Sequence, residues 1–311
     1  MESRWKSRFS LLSTFYFSLF TLLSAQPVER VLYVSALNGS GRPVAGLSPQ
    51  DVLVRENDTA RNVLRVSPVA EPFDIAILVD TSDAARPVIG EFRAALREFF
   101  RAMGDRHQIA VMTFGQRPAV VVSYTNDPAR LQNALGRVTS RSGSGAYLME
   151  AIVEASRDLR RRENPRRAAI VIATESTELG EDRAREVVGS VLSSELVLNA
   201  FVVPVTAGVR SADESPAPRV DATSIPAFPD QRAAERAASL DEAAELTGGR
   251  LEHLGGSNVL SARLRELASE FNNQYRVVYE GTWPTANSRR SIEVRATQSD
   301  VRIKATWMPT H

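Results

Sequence analysis

The chain has no cysteine among its 311 residues. This absence excludes disulfides, thiolate metal sites, cysteine nucleophiles and a lipid anchor attached to cysteine. Stability must therefore come from a hydrophobic core. A composition of 43% hydrophobic and 24% charged residues is ordinary for a globular protein that has one. The length is sufficient for one large domain or two modest ones.

Lysine and histidine are also scarce. Lysine occurs only at Lys6 and Lys304, so arginine supplies the other basic side chains. The three histidines, His107, His253 and His311, lie far apart, and no H-E-x-x-H motif occurs. A histidine-based metal site is not indicated. His107 leads into a strand pattern and is expected to be a surface or edge residue.

The net charge is small as well. The formal charge is +1, and the first 25 residues contribute three basic side chains and one acidic side chain to it. Without those residues the formal charge is −1. A nearly neutral chain gives no electrostatic basis for binding nucleic acid. We therefore predict no binding of nucleic acid.

Long hydrophobic runs are absent beyond the N-terminus. Residues 1–25 begin with basic side chains, continue with an apolar stretch over 9–23 and end at the small residue Ala25. This arrangement is typical of a secretory signal peptide, and the stretch is too short for a stable membrane span. We predict an exported protein, periplasmic or extracellular, with no stable membrane span after signal cleavage. An uncleaved N-terminal anchor is the alternative.

Three regions follow the signal-like segment. Residues 26–71 and 273–311 contain short strand patterns separated by turn residues, which favours antiparallel pairing. Each of these two segments is too small to form a stable sheet alone. We therefore predict that they pair with each other into a small β-sandwich, and that residues 72–272 form a domain inserted between them.

Residues 72–272 alternate between strand and helix patterns. Examples are the purely apolar strand pattern over 168–173 and the helical spacing of apolar residues from Leu148 to Leu159. The alternation predicts an α/β fold with a doubly wound, mostly parallel sheet and helices on both faces. The proline-rich segment 206–235 interrupts the pattern. We interpret it as a long loop that is either functional or disordered, and we favour disorder.

Three smaller features complete this region. Ser239 is expected to cap a helix that ends at Gly248. The arginine run over 160–162 and 166–167 lies near a predicted helix end, and a solvated helix C-terminus explains it, with a binding patch as the alternative. The glycines at 143–145 and 248–249 lack a P-loop lysine and the Rossmann spacing, so nucleotide binding is not indicated.

The stretch 73–84 is the most informative part of the chain. An almost wholly apolar run ends at Asp80, and two hydroxyls and a second carboxylate follow directly. This pattern predicts a buried strand that presents oxygen ligands at the carboxyl end of a sheet, where open α/β sheets bind their ligands. A metal loop of the form D-x-S-x-S would need a hydroxyl at position 84, and the chain has Ala84 there.

The motif at 80–82, together with the strand and helix succession over 72–272, resembles the von Willebrand factor type A domain. The lead-in over 41–52 and the tail from 246–250 onward resemble a secreted subfamily described mainly from Acidobacteria. The resemblance implies a von Willebrand factor A or Rossmann-like fold. It also implies a metal-ion-dependent adhesion site, in which three loops supply Asp-Ser-Ser, Thr and Asp ligands to a divalent cation.

By this resemblance, Asp80 and Ser82 match the first ligand loop. Ala84 stands in place of the second serine, Ala146 in place of the threonine and Glu175 in place of the aspartate. Mg²⁺ requires about six oxygens in a nearly octahedral arrangement. We therefore predict a degenerate site without a cofactor, in which Asp80, Ser82 and Glu175 are the remaining candidate metal ligands.

Two interpretations of these loops stay open. Mg²⁺ could still bind if the loops shifted and oxygens of Asp83, Ser142, Ser144 or Thr174 completed the ligand set. In the interpretation that we favour, Asp80 orders its loop by accepting hydrogen bonds from backbone N–H groups. Ser82 and Asp83 would then help to start the following helix.

The resemblance and the absence of a catalytic residue set predict a non-enzymatic protein-interaction module of the adhesion type. Its ligand-binding edge is predicted to contain Asp80, Ser82, Asp83, Ser144 and Glu175. The first alternative is Mg²⁺-dependent adhesion to an acidic ligand group through Asp80, Ser82 and Glu175. The second is a hydrolase that uses Asp80 and Glu175 as paired carboxylates.

Overall fold

The structure is a computed structural model that describes four stretches of the chain, residues 28–175, 184–204, 229–281 and 291–306. The predicted signal peptide lies outside these stretches, and so does most of the loop predicted over 206–235. No helix in the described stretches has both the length and the hydropathy needed to cross a membrane.

The described residues form the following strands and helices. The strands are β1 Val28–Asn38, β2 Val52–Glu56, β3 Thr59–Arg61, β4 Val63–Pro68, β5 Asp74–Val79, β6 Gln108–Thr113, β7 Ala119–Thr125, β8 Arg167–Thr174, β9 Leu196–Val203, β10 Arg250–His253, β11 Gln274–Gly281, β12 Ile292–Ala296 and β13 Val301–Thr306. The helices are α1 Ile89–Met103, α2 Pro128–Ala134, α3 Leu148–Arg160, α4 Ala184–Ser193, α5 Pro229–Leu246 and α6 Leu260–Asn272.

A six-stranded sheet forms the centre of the molecule, in the order β10-β9-β8-β5-β6-β7. Its neighbouring strands are parallel, except that β7 runs antiparallel to β6. One core contains residues of α1, α2 and α6, and a second core contains residues of α3, α4 and α5. The five apolar residues of β5, Ile75 to Val79, alternate between the two cores, and Asp74 at the start of the strand is buried as well. The prediction of a doubly wound, mostly parallel α/β sheet is therefore confirmed.

Two predictions about helix α5 were wrong, namely that Ser239 caps it and that the loop over 206–235 precedes it. Ser239 lies inside α5, where its hydroxyl donates to the carbonyl of Glu235 at 2.9 Å, and the helix begins at Pro229, within the predicted loop. The first turns of α5 are rich in alanine and charge, so no apolar stripe marks them.

The chain also enters β10 after Gly249, where a Cβ atom would lie 1.7 Å from the carbonyl oxygen of Leu198. Strand β10 is too short and too polar to show alternation.

The two ends of the chain pair with each other. One antiparallel sheet has the order β13-β1-β11-β4, and a second has the order β12-β2-β3. Both sheets contribute to a third core, which contains Leu32, Val34, Val54, Val277 and Tyr279. The segments therefore form a small two-sheet unit that neither could form alone. The division into domains at 26–71, 72–272 and 273–311 stays a prediction.

Arg166 lies where the α/β domain meets this two-sheet unit, and its side chain is fully buried. The guanidinium donates to the carbonyl of Phe271 at 3.1 Å and to Oε1 of Gln274 at 2.8 Å. It also donates to the carbonyl of Glu71 and lies 3.8 Å from the centre of the Phe73 ring. Burial lowers its pKa to about 10, so it remains charged at neutral pH.

The prediction that the arginine run is a solvated helix end was therefore wrong for Arg166. It was also wrong for Arg162, which bonds to the buried carboxylate of Asp74 at 2.6 Å and lies over the ring of Tyr124. Arg160 and Arg161 are exposed, as expected. Spacing along the sequence does not distinguish the two groups, because their partners come from other parts of the chain.

His107 is fully buried near the same junction, so its prediction as a surface or edge residue was wrong. Its Nδ1 accepts from the backbone N–H of Phe73 at 3.0 Å. Nε2 must therefore carry the proton, which it donates to Oδ1 of Asn272 at 2.8 Å. Burial, with a further contribution from the nearby Arg166 and Arg106, lowers the pKa of His107. The ring is neutral and joins the start of β5 to the end of α6.

The neutral state of His107 predicts a loss of stability in acid. Below about pH 6.5 the unfolded chain binds a proton at this position that the folded chain excludes. The free energy of unfolding should then fall by up to about 1.4 kcal/mol per pH unit, until the pH reaches the lowered pKa. Urea unfolding at pH 7.5 and 5.5 measures this for the natural chain and for His107→Gln, which keeps a donor and an acceptor. An equal loss in both proteins would contradict the assignment.

Candidate functional site

Asp80 follows β5 at the carboxyl end of the central sheet and is fully buried. Its Oδ1 accepts from the backbone N–H of Ser82 at 2.8 Å. Its Oδ2 accepts from the backbone N–H of Thr174 at 3.0 Å and from the Thr174 hydroxyl at 2.5 Å. The chain leaves β5 toward the core of α1 and leaves β8 toward the core of α4. Asp80 and Thr174 thus join two strands at the topological switch point of the sheet.

Thr81 connects this loop to two others. Its side-chain oxygen accepts from the backbone N–H of Gly115 at 3.2 Å, and its carbonyl accepts from the N–H of Arg141 at 3.2 Å. A Cβ atom at position 115 would lie 2.1 Å from the carbonyl carbon of Thr81, so only glycine permits this approach. The loops after β5 and β6 and the loop before α3 therefore form one hydrogen-bonded edge.

Ser82, Asp83 and Ser144 also lie within these loops. Ser82 is fully buried, and its hydroxyl has no hydrogen-bond partner among the described residues. The N–H of Asp83 donates to the carbonyl of Ser144 at 2.9 Å, and the Ser144 hydroxyl donates to the carbonyl of Arg141 at 2.7 Å. The exposed carboxylate of Asp83 forms an ion pair with Arg86. Four of the five predicted edge residues, counted with Asp80, are thus brought together.

Glu175, the fifth predicted residue, directly follows β8, and its side chain is exposed. Its backbone N–H donates to the carbonyl of Val203 at 3.3 Å. Within the described stretches, no group of three histidine, aspartate or glutamate side chains is arranged to hold a metal ion. The carboxylates of Asp80 and Glu175 therefore have different environments, one sealed in the protein and the other open to solvent.

These residues do not fit a divalent cation. Both oxygens of Asp80 already accept hydrogen bonds from Ser82 and Thr174. Ala84 is half-buried and Ala146 is fully buried, and neither brings a side-chain oxygen. The hydroxyl of Ser82 has no hydrogen-bond partner among the described residues, but it supplies a single oxygen where about six are required.

The sequence did not indicate Thr174 as the principal partner of Asp80. Asp80 directly follows β5, and Thr174 is the last residue of β8, the parallel neighbour of β5. It also did not indicate a pocket of about 460 Å³ beside the loop of Asp80. Gly115, Gln116, Arg117 and Tyr147 contribute to its lining. These residues come from two loops that are distant in sequence, and glycine and arginine give no periodic signal there.

Residues 75–176 match the family model of the von Willebrand factor type A domain. The matched stretch contains all the predicted edge residues, from Asp80 to Glu175, and it agrees with the resemblance seen in the sequence. No curated protein sequence matches the chain.

Three solved structures illustrate the likeness of the fold. A von Willebrand factor type A protein from Catenulispora acidiphila has 12% identity and a TM-score of 0.48, with 92% of this chain and 73% of that chain covered. An aerotolerance-related membrane protein from Bacteroides fragilis has 19% identity and a TM-score of 0.45, with 64% of this chain and 98% of that chain covered. The pilus adhesin SpaC from Lactobacillus rhamnosus GG has 9% identity and a TM-score of 0.48, with 88% of this chain and 47% of that chain covered.

Proposed function

We propose that this chain is an exported, non-enzymatic protein-interaction module of the adhesion type whose metal-ion-dependent adhesion site is degenerate. The carrying observation is the hydrogen bonding of Asp80, whose two oxygens accept three hydrogen bonds from Ser82 and Thr174. The matched family segment and the fold of its loops support an interaction role. Export, to the periplasm or beyond the cell, is proposed from the signal-like pattern of residues 1–25.

The geometry gives a physical reason why a cation is dispensable here. A buried carboxylate is costly unless hydrogen-bond donors satisfy it, and two N–H groups and a hydroxyl do so for Asp80. A divalent ion would have to compete with these donors for the oxygens of Asp80. In exchange it would find neither of the hydroxyls that Ala84 and Ala146 replace.

The same burial argues against a hydrolase with paired carboxylates. A general acid or base must come within about 3 Å of the proton that it transfers. Asp80 has no exposed surface, whereas Glu175 is exposed. The two carboxylates therefore do not present themselves to a common substrate. The partner is proposed to contact the outer surface of the loops, where Asp83, Ser144 and Glu175 lie.

The second candidate function is Mg²⁺-dependent adhesion to an acidic ligand through Asp80, Ser82 and Glu175. One observation favours it, which is the buried hydroxyl of Ser82 without a partner among the described residues. An ion could satisfy that oxygen. This function would require the ion to compete with Ser82 and Thr174 for the oxygens of Asp80, and the exposed Glu175 side chain to turn inward.

Calorimetric titration of residues 26–311 with Mg²⁺, Mn²⁺ and Ca²⁺ separates the two functions. We expect no saturable heat of binding, and we expect Ser82→Ala to behave like the natural chain. A pull-down with the same protein should capture the same partner with and without a chelator. Saturable Mg²⁺ binding that Ser82→Ala abolishes, together with capture lost in chelator, would establish the second function instead.

A further inference from the structure

A pocket of about 460 Å³ lies between the β6–β7 hairpin loop and the loop before α3, and we call it the hairpin pocket. Its lining residues are Gly115, Gln116, Arg117, Gly143, Ser144, Gly145 and Tyr147. None of them is acidic. The volume suits one or two side chains of a partner and is too small for a secondary-structure element.

The hairpin pocket carries unused hydrogen-bond donors. Arg117 is exposed, and its guanidinium forms no hydrogen bond or ion pair with any residue that the structure describes. The backbone N–H groups of Gly143 and Gly145 likewise donate to no described residue. A guanidinium fork and free backbone N–H groups are the donors that proteins use to bind carboxylates.

The walls of the pocket are held in place by their own contacts. Arg141 donates to Oε1 of Gln116 at 3.0 Å, which ties the hairpin loop to the loop before α3. The N–H of Tyr147 donates to the carbonyl of Phe114 at 2.8 Å and fixes the other side. The backbone on both sides of the pocket is therefore positioned before any ligand arrives, which reduces the entropy cost of binding.

The electrostatic surroundings of the pocket favour an anion. Tyr147 is the N-cap of α3, and no side chain caps that helix end, so the positive end of the helix dipole lies at the pocket. Two acidic side chains of the neighbouring elements are not free members of the pocket lining. Asp83 is paired with Arg86, and Glu150, in the first turn of α3, is not part of the lining.

We propose that the hairpin pocket binds a carboxylate side chain from an acidic segment of the partner protein, with Arg117 as its principal donor and without a metal ion. This inference rests on the proposed function, since it names the chemistry of the partner at the same edge of the sheet. In this proposal the guanidinium of Arg117 attracts the acidic group. At an intact adhesion site a metal cation would do so.

The test uses residues 26–311 and two labelled, amidated peptides, followed by fluorescence anisotropy. One peptide has two glutamates and two aspartates between glycines, and the other has the corresponding amides. We expect the natural chain to bind the acidic peptide about tenfold more tightly than the amide peptide. Arg117→Glu should weaken binding of the acidic peptide by at least about tenfold. Arg101→Glu is the matched control, because Arg101 is exposed in the last turn of α1, and its effect should stay within about twofold.

Three results of the peptide titration would overturn the assignment. They are equal binding of the two peptides, an unchanged affinity in Arg117→Glu, and an equal loss in Arg101→Glu. Partner capture by Arg117→Glu equal to that of the natural chain would also overturn it, while the proposed function would stand. Capture that requires a cation would refute the proposed function, whatever the peptide titration shows. The two failures are therefore distinguishable.

Discussion

Replacing Arg166 with alanine should lower the free energy of unfolding by about 4 kcal/mol, the largest effect that we expect from a single substitution in this chain. The guanidinium is fully buried and satisfies the carbonyls of Glu71 and Phe271 and the side chain of Gln274. Its removal would take a hydrogen-bond donor away from each of these acceptors. It would also leave a cavity against the ring of Phe73.

Urea unfolding measures this effect, and two variants sharpen it. Arg166→Lys keeps the charge but cannot form the same fork, so it should lose about half as much stability as the alanine variant. Arg160→Ala is the matched control, because Arg160 is exposed in the same arginine-rich segment, and its effect should lie within about 0.5 kcal/mol. If Arg166→Ala cost no more than Arg160→Ala, the proposed role at the junction would be wrong.

The location of Arg166 also predicts how the protein unfolds. Its partners lie before β5, at the end of α6 and at the start of β11, so it connects the inserted α/β domain to the two-sheet unit. The natural chain should unfold in one transition, with fluorescence and circular dichroism coincident. In Arg166→Ala the two probes should separate as the units lose their coupling.

Replacing Asp80 with alanine should cost about 3 kcal/mol, and Mg²⁺ should not change that value. The variant leaves the N–H groups of Ser82 and Thr174 buried without their acceptor. Thr174→Val removes only the hydroxyl bond and should cost about 1.5 kcal/mol. Asp83→Ala is the control, because this neighbouring carboxylate is exposed, and it should be nearly neutral.

Unfolding curves with and without 5 mM Mg²⁺ distinguish a structural carboxylate from a metal ligand. A ligand that binds only the folded state stabilises it by RT ln(1 + [L]/Kd). Because we expect no ion to bind, Mg²⁺ should not change the unfolding curve of the natural chain. It should not change the curve of the Asp80→Ala variant either. Stabilisation of the natural chain that the variant lacks would show that Asp80 holds a cation.

Much of the α/β domain could be predicted from the sequence, because its signals are local. The apolar run of β8 and the helical spacing of α3 appear at their predicted places. The oxygen-rich end of β5 also lies at the carboxyl edge of the sheet, as predicted. Helix α5 and strand β10 were missed or misplaced, because one lacks an apolar stripe and the other has only four residues.

The candidate site was predictable in its location but not in its bonding. Asp80 and Ser82 could be placed at the edge of the sheet from the run that precedes them. The partner of Asp80, however, is Thr174, which lies 94 positions away in sequence. Arg117 and Gly143 reach the same pocket from different loops. Such contacts depend on how loops meet in three dimensions, and no pattern within a loop records them.

The stretch from Phe73 to Ala84 by itself determined that this chain has a buried strand ending in oxygen-bearing side chains and that the hydroxyl of a D-x-S-x-S loop is missing at position 84. Local periodicity and residue identity are sufficient for both conclusions. Only the tertiary structure decided what those oxygens do. It places Thr174 and two backbone N–H groups against Asp80, so the carboxylate is satisfied by the protein itself. It also places Arg117 beside free N–H groups, because the β6–β7 hairpin packs against the loop before α3.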